Sequence, residues 1–208
     1  LGYQFGRDDA RFLEGLRDAL NAYGVPLLGG DTISATGAQV LGLTALGRAT
    51  CRPVPSRGGA RPGDGLWITG PVGAAMMGLE ALQAGSGESL AYRRPCALLA
   101  EGRALAPRVS AMMDVSDGLL LDAARMARAS GVTFAITSAS APLAAPEARR
   151  AEALRWGDDY QLLFTLPADA APPVPAHRIG TALPGVATPL LLDGHPLPPD
   201  DRLGFQHG

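Results

Sequence analysis

Three short stretches of this 208-residue chain place carboxylates in glycine-bearing turns beside apolar runs: Gly29-Gly30-Asp31-Thr32, Asp114-Val115-Ser116-Asp117-Gly118 and Gly157-Asp158-Asp159-Tyr160. An apolar strand fixes the direction of a turn, glycines let ligand oxygens approach the backbone, and hard carboxylate oxygens suit a hard cation. Mg²⁺ takes a few carboxylates together with phosphate oxygens and water, so separate aspartates converging on a polyphosphate would suit phosphoryl transfer. Each stretch also has a plainer use. Asp31 suits a turn or a cap, Asp117 suits the start of the helix that follows it, and Asp158-Asp159 suits a solvated loop. Asp114 follows Met112-Met113, where an ionised carboxylate is costly unless it finds a partner.

Other side chains could join such a site. Arg57, in Ser56-Arg57-Gly58-Gly59-Ala60-Arg61-Pro62-Gly63-Asp64, could reach a phosphate by a bidentate contact or be a plain surface arginine. Tyr160 and Phe205 could stack on a heterocycle, although packing is the default use of an aromatic ring, as it is for Trp67 and Trp156. All 18 basic residues are arginine. A Walker-type phosphate loop needs a lysine after its glycines, so that class of nucleotide site is excluded. The three histidines, His177, His195 and His207, and the two cysteines, Cys51 and Cys96, lack zinc-ligand spacing and fit reduced thiols in a cytosolic protein.

These turns need elements to aim them. Phe12, Leu13, Leu16, Leu20 and Tyr23 recur at helical spacing, which predicts a helix over 8–23 with Gly24 as its stop. Residues 25–28 and 39–47 read as strands. The Arg-, Pro- and Gly-rich stretch 48–65 reads as a boundary. Beyond it the pattern predicts strands over 66–69, 111–115, 132–136 and 160–166, with short ones at 179–180 and 190–192. Helices are expected over 74–83, 96–105, 119–129 and 146–154, the last with its proline in the first turn. Alternating strands and helices indicate an α/β or mixed α+β domain over 54–208. Residues 1–53 are too few for a core of their own and read as a remnant of a second domain.

Bulk properties narrow the classes. Apolar residues make up 47%, charged residues 18%, and the net charge is −2 with a pI near 5.9. That describes an ordinary globular protein without the basic surface nucleic acid requires. No apolar run approaches the roughly 18–20 residues of a membrane span, and Leu1 to Gly6 lacks a signal-peptide layout.

Taken together, Leu28-Gly29-Gly30-Asp31-Thr32, the Arg57 to Asp64 segment, Asp114-Val115-Ser116-Asp117-Gly118-Leu119 and Trp156-Gly157-Asp158-Asp159-Tyr160 resemble the thiamine-monophosphate kinase family. The order and spacing fit across the whole chain, and the third element is the most specific. Sister families of the aminoimidazole ribonucleotide synthetase-like fold carry other residues there.

The resemblance implies two α/β domains, a cytoplasmic homodimer built through the N-terminal domains, and in-line transfer of the ATP γ-phosphoryl group to thiamine monophosphate. By motif matching, Asp31, Asp114 and Asp117 would hold Mg²⁺, while Gly30, Asp31, Arg57 and Ser116 would touch ATP. Asp158 would meet the substrate in place of a family glutamate, and Phe205 would match an aromatic near the thiamine. Departures from the family pattern are Gln161 in place of a glutamate, and Ala97-Leu98 within Arg94-Pro95-Cys96-Ala97-Leu98, where the family has a proline and an arginine. The family also carries upstream metal-binding aspartates, so the 208 residues alone are expected to be impaired. A sister ATP-dependent activity and a non-catalytic nucleotide-binding relative stand as alternatives.

Overall fold

The computed structural model describes residues 7–31, 40–185, 187–197 and 202–205. The chain divides into two compact units, Leu1–Gly47 and Arg48–Gly208. In the first unit, α1 runs Arg7–Tyr23 as its periodicity predicts, and Gly24 ends it with φ 62°. The Val25 N–H returns to the Leu20 carbonyl at 2.9 Å. Neither strand expected in this unit forms among the described residues: 25–28 and 40–47 are irregular, and Leu28, Val40, Leu43 and Leu46 are exposed. A strand needs a neighbour to take its ladder hydrogen bonds. The described part of this unit offers none.

The second unit is a mixed α/β layer structure. In chain order it comprises β1 (Gly65–Ile68), α2 (Ala74–Gln83), α3 (Leu90–Arg93), α4 (Leu99–Leu105), β2 (Ala111–Asp114), α5 (Leu119–Ser130), β3 (Val132–Ile136), α6 (Arg150–Ala153), β4 (Leu162–Leu166), β5 (His177–Pro184), β6 (Leu190–Leu192) and β7 (His195–Pro196). The strands form one seven-stranded sheet in the order β2-β4-β1-β5-β3-β6-β7. All pairs are antiparallel except β3 with β6.

Strand alternation feeds two apolar layers. Leu66 and Ile68 of β1, Ala111 of β2 and Leu163 of β4 point into the larger core, beneath α2 and α5. Trp67, Met112, Phe164 and Leu166 point the other way, into a smaller cluster closed by Leu105 at the end of α4. Helix α5 supplies the largest contribution, burying Leu119, Leu120, Ala123, Ala124, Met126 and Ala127. Gly131, at φ 68°, ends it by returning its N–H to the Ala127 and Arg128 carbonyls.

Several boundaries differ from the sequence pattern for local reasons. β5 spans eight residues where two were expected, because its exposed His177 and Arg178 and its half-buried Thr181 break the apolar signal. β4 starts at Leu162, since Tyr160 has φ 49° and cannot be extended. The helix expected over 146–154 is a 3₁₀ turn, Glu147–Arg149, running into α6.

Candidate functional site

Strand β2 delivers Asp114, and the chain turns through Val115, Ser116 and Asp117 before α5 begins at Leu119. Gly118 sits at φ 118°, and a Cβ there would lie 2.5 Å from the Arg155 carbonyl oxygen, so the turn needs glycine. One turn into the helix, the fully buried Asp122 reaches back. Its Oδ2 accepts the backbone N–H groups of Ser116 at 3.0 Å and Asp117 at 2.9 Å. Burial pushes the Asp122 carboxyl up, against the pull of those donors and of Arg125. Arg125 Nη1 donates to Asp122 Oδ1 at 2.8 Å and also to Asp117 Oδ2.

A second turn lies against the first. The Asp158 N–H donates to the Ser116 carbonyl and the Tyr160 N–H to the Val115 carbonyl, each at 2.9 Å. Asp158 and Tyr160 both adopt left-handed backbone, φ 63° and 49°, a conformation costly for a bulky residue and held here by those bonds. The two neighbouring carboxylates separate. Asp159 turns to the start of α2 and accepts the N–H groups of Gly73 at 2.6 Å and Ala75 at 3.0 Å, as suits a carboxylate at a helix N-terminus. Asp158 stays with the site, accepting the Tyr160 hydroxyl at 3.2 Å. Burial raises the Tyr160 phenol above its ordinary value, and the charges of Asp158, Asp114 and Asp117 raise it further. Three carboxylates therefore act on one phenol.

The third piece is the segment Leu203-Gly204-Phe205. Leu203 is buried in the larger core, and the Phe205 N–H donates to the Asp117 carbonyl at 2.8 Å. A Cβ on Gly204 would fall 2.2 Å from that same carbonyl oxygen, so only glycine permits the approach. Phe205 remains 60% exposed. Beside these turns lies a cavity of about 420 Å³ whose walls include Ala97, Leu98, Leu99, Arg103, Asp114 and Tyr160. The segment that departs from the family pattern at Ala97 and Leu98 thus forms an apolar wall.

The structure brings Asp114, Ser116, Asp117, Asp158 and Phe205 together within one unit. Arg57 lies apart. Its carbonyl accepts the Ser130 hydroxyl at the far end of α5, roughly 17 Å of helix from the Asp117 turn at 1.5 Å per residue. Gly30 and Asp31 belong to the first unit and are exposed. Among the described residues no three His, Cys, Asp or Glu side chains form a metal-binding group. The donors present nevertheless suit Mg²⁺, which needs one or two carboxylates and takes its other ligands from phosphate and water. Asp114 is an exposed carboxylate at a strand end, whereas Asp117 is engaged by Arg125.

Sequence reasoning passed over Asp122, Arg125 and Arg103, and it chose Asp158 over Asp159 only through the resemblance. One signal was present: Asp122 and Arg125 are an i,i+3 ion pair, with the acid inside the apolar run Leu119 to Ala124.

This geometry has known counterparts. Residues 61–177 match the family model of the AIR synthase related protein C-terminal domain, and residues 3–49 match that of the N-terminal domain. The chain belongs to the AIR synthase related protein family and, within it, to the thiamine-monophosphate kinases. It is 35% identical to the thiamine-monophosphate kinase of Escherichia coli K12 over 75% of this chain and 52% of the relative. With that of Caulobacter vibrioides it shares 30% identity, covering all of this chain and 67% of the relative. Among solved structures, AaThiL complexed with AMPPCP and TMP is similar at 33% identity and TM-score 0.61, covering 70% of this chain and 52% of that one. The Stenotrophomonas maltophilia thiamine-monophosphate kinase gives 29% identity and TM-score 0.62, covering 69% and 54%. The chain thus spans roughly half to two thirds of the length of these relatives.

Proposed function

We propose that this chain carries the C-terminal portion of an ATP-dependent kinase that converts thiamine monophosphate to thiamine diphosphate by direct in-line phosphoryl transfer. The observation that carries this reading is the meeting of the Asp114–Asp117 turn, the Asp158–Tyr160 turn and the Leu203–Phe205 segment, with Asp114 and Tyr160 lining one cavity. It is supported by relatives that bear the activity's name and by a similar protein solved with AMPPCP and TMP.

Donor and acceptor both carry phosphate charge, so the main obstacle is their mutual repulsion. Asp114 and Asp117 would hold Mg²⁺. Bound there, the cation would offset phosphate charge and align the reacting oxygens. Ser116 would contact ATP, while Asp158 and Phe205 would orient the thiamine moiety. The acceptor phosphate is already an anion at neutral pH, so no general base is required. Assembly as a homodimer through the first unit and a cytoplasmic location belong to the same proposal. Among the described residues no helix is long and apolar enough to cross a membrane.

The test is formation of thiamine diphosphate from thiamine monophosphate, ATP and Mg²⁺ by the full-length protein. Product that disappears with Asp114→Asn supports the assignment. A folded, metal-supplied protein that makes none would turn the reading toward a sister activity or a nucleotide binder without turnover.

A further inference from the structure

Arg125 is shared between two carboxylates of unequal character. Asp122 is fully buried and spends its Oδ2 on the Ser116 and Asp117 amides, so its remaining oxygen, Oδ1, keeps the guanidinium in place. Asp117 lies nearer the surface, its side chain 14% exposed, and meets the same Nη1 atom. The Arg125 side chain is itself 32% exposed. A buried carboxylate is costly without its cation, whereas a rim carboxylate can exchange one cation for another. The pair with Asp122 is therefore the fixed contact and the pair with Asp117 the exchangeable one.

We propose that Arg125 is a positioning residue that holds the Asp117 carboxylate in the cation-free protein and must release it when a divalent cation binds. This rests on the metal role assigned to Asp117 above and adds a competitor for it. Arg125 fixes the Asp117 carboxylate close to where it is needed, and it keeps two neighbouring acids from repelling each other while the site is empty. It also weakens cation binding, because the guanidinium has to be displaced from one oxygen. A residue that served only to build the turn would give the opposite sign, since loosening the turn would weaken cation binding.

The experiment is Mn²⁺ binding to the full-length protein followed by electron paramagnetic resonance, with Mn²⁺ alone as the probe and thermal melts to confirm folding. Arg125→Gln is expected to tighten Mn²⁺ binding about 2- to 5-fold, the range that a partly exposed ion pair sets. Arg128→Gln, which removes a charge from the exposed part of the same helix, is expected to change it little. In an Asp117→Asn background the gain from Arg125→Gln should vanish. Should Arg125→Gln fold poorly, Asp122→Asn with Arg125→Gln removes the buried charge and its partner together and keeps a side-chain carbonyl for the Ser116 and Asp117 amides. Equal or weaker Mn²⁺ binding in the folded arginine variants, or a gain that survives Asp117→Asn, overturns the proposal. The metal site stands separately on loss of Mn²⁺ binding in Asp114→Asn, and a wild-type protein that binds no Mn²⁺ removes both.

Discussion

The carboxylate of Asp159 accepts the backbone N–H of Gly73 at 2.6 Å, joining two residues 86 positions apart in the chain. Through this bond the start of α2 anchors the turn that presents Asp158 and Tyr160. The anchoring carboxylate is largely desolvated, and burial holds its carboxyl above the ordinary aspartate value despite three backbone donors.

That shift has a definite sign. The folded protein binds the Asp159 proton more tightly than the unfolded chain does, so stability from this group is complete below the ordinary aspartate value and is lost as the pH rises through the raised one. Asp159→Asn removes the titration. The wild type's stability advantage over Asp159→Asn, from urea unfolding, is expected to narrow as the pH rises above the ordinary aspartate value of about 4. An advantage that widens over that rise would contradict the burial account.

Asp158 is a different case, because asparagine tolerates left-handed backbone nearly as well as aspartate. Asp158→Asn should therefore fold normally while losing a charge beside Tyr160. With that charge gone, the Tyr160 phenol is expected to titrate at lower pH, read from tyrosinate absorbance with Tyr160→Phe as the blank. The KM for thiamine monophosphate should rise more than that for ATP. An unmoved Tyr160 titration would separate the two side chains.

Gly204→Ala places a methyl group where the Asp117 carbonyl oxygen and Leu121 Cβ already stand, at 2.2 and 2.7 Å. Overpacking of this kind costs about 1–3 kcal/mol. The melt should fall accordingly, and thiamine monophosphate binding should weaken as the Phe205 ring is displaced. A neutral result would show that the segment yields without cost.

Phe164 is buried at the centre of the smaller apolar layer, far in function from any carboxylate. Phe164→Ala is expected to destabilise the second unit by about 3–5 kcal/mol, measured by denaturant unfolding. Pairing of β4 with both β1 and β2 makes milder loss unexpected.

Much of the site is legible in the chain because Asp114, Ser116 and Asp117 fall in one contiguous turn between a strand and a helix, and Asp158 falls in another. Asp122 and Arg125 were harder to see, since their partners lie a helical turn back and their types look like ordinary helix residues. Choosing between Asp158 and Asp159 required three dimensions: only the location of the α2 N-terminus decides which carboxylate is taken. The strands expected at 25–28 and 39–47, which do not form among the described residues, show the reverse problem, in that apolar residues specify a strand only where a neighbouring strand pairs with it. β5 was underestimated for want of apolar alternation, although its backbone pairs on both sides.

The pairing order of the sheet also has a temporal side. β1, β2 and β3 do not pair with one another; each waits for β4 or β5, which arrive up to about a hundred residues later. At a synthesis rate of about 5–20 residues per second, β1 spends on the order of 5–20 seconds as an open edge on the nascent chain. The two acidic turns share that delay, because the 157–160 turn closes on the 114–117 turn only once β4 is emerging. Ribosome pausing or chaperone supply during that interval should govern the yield of soluble protein more strongly than its final stability does.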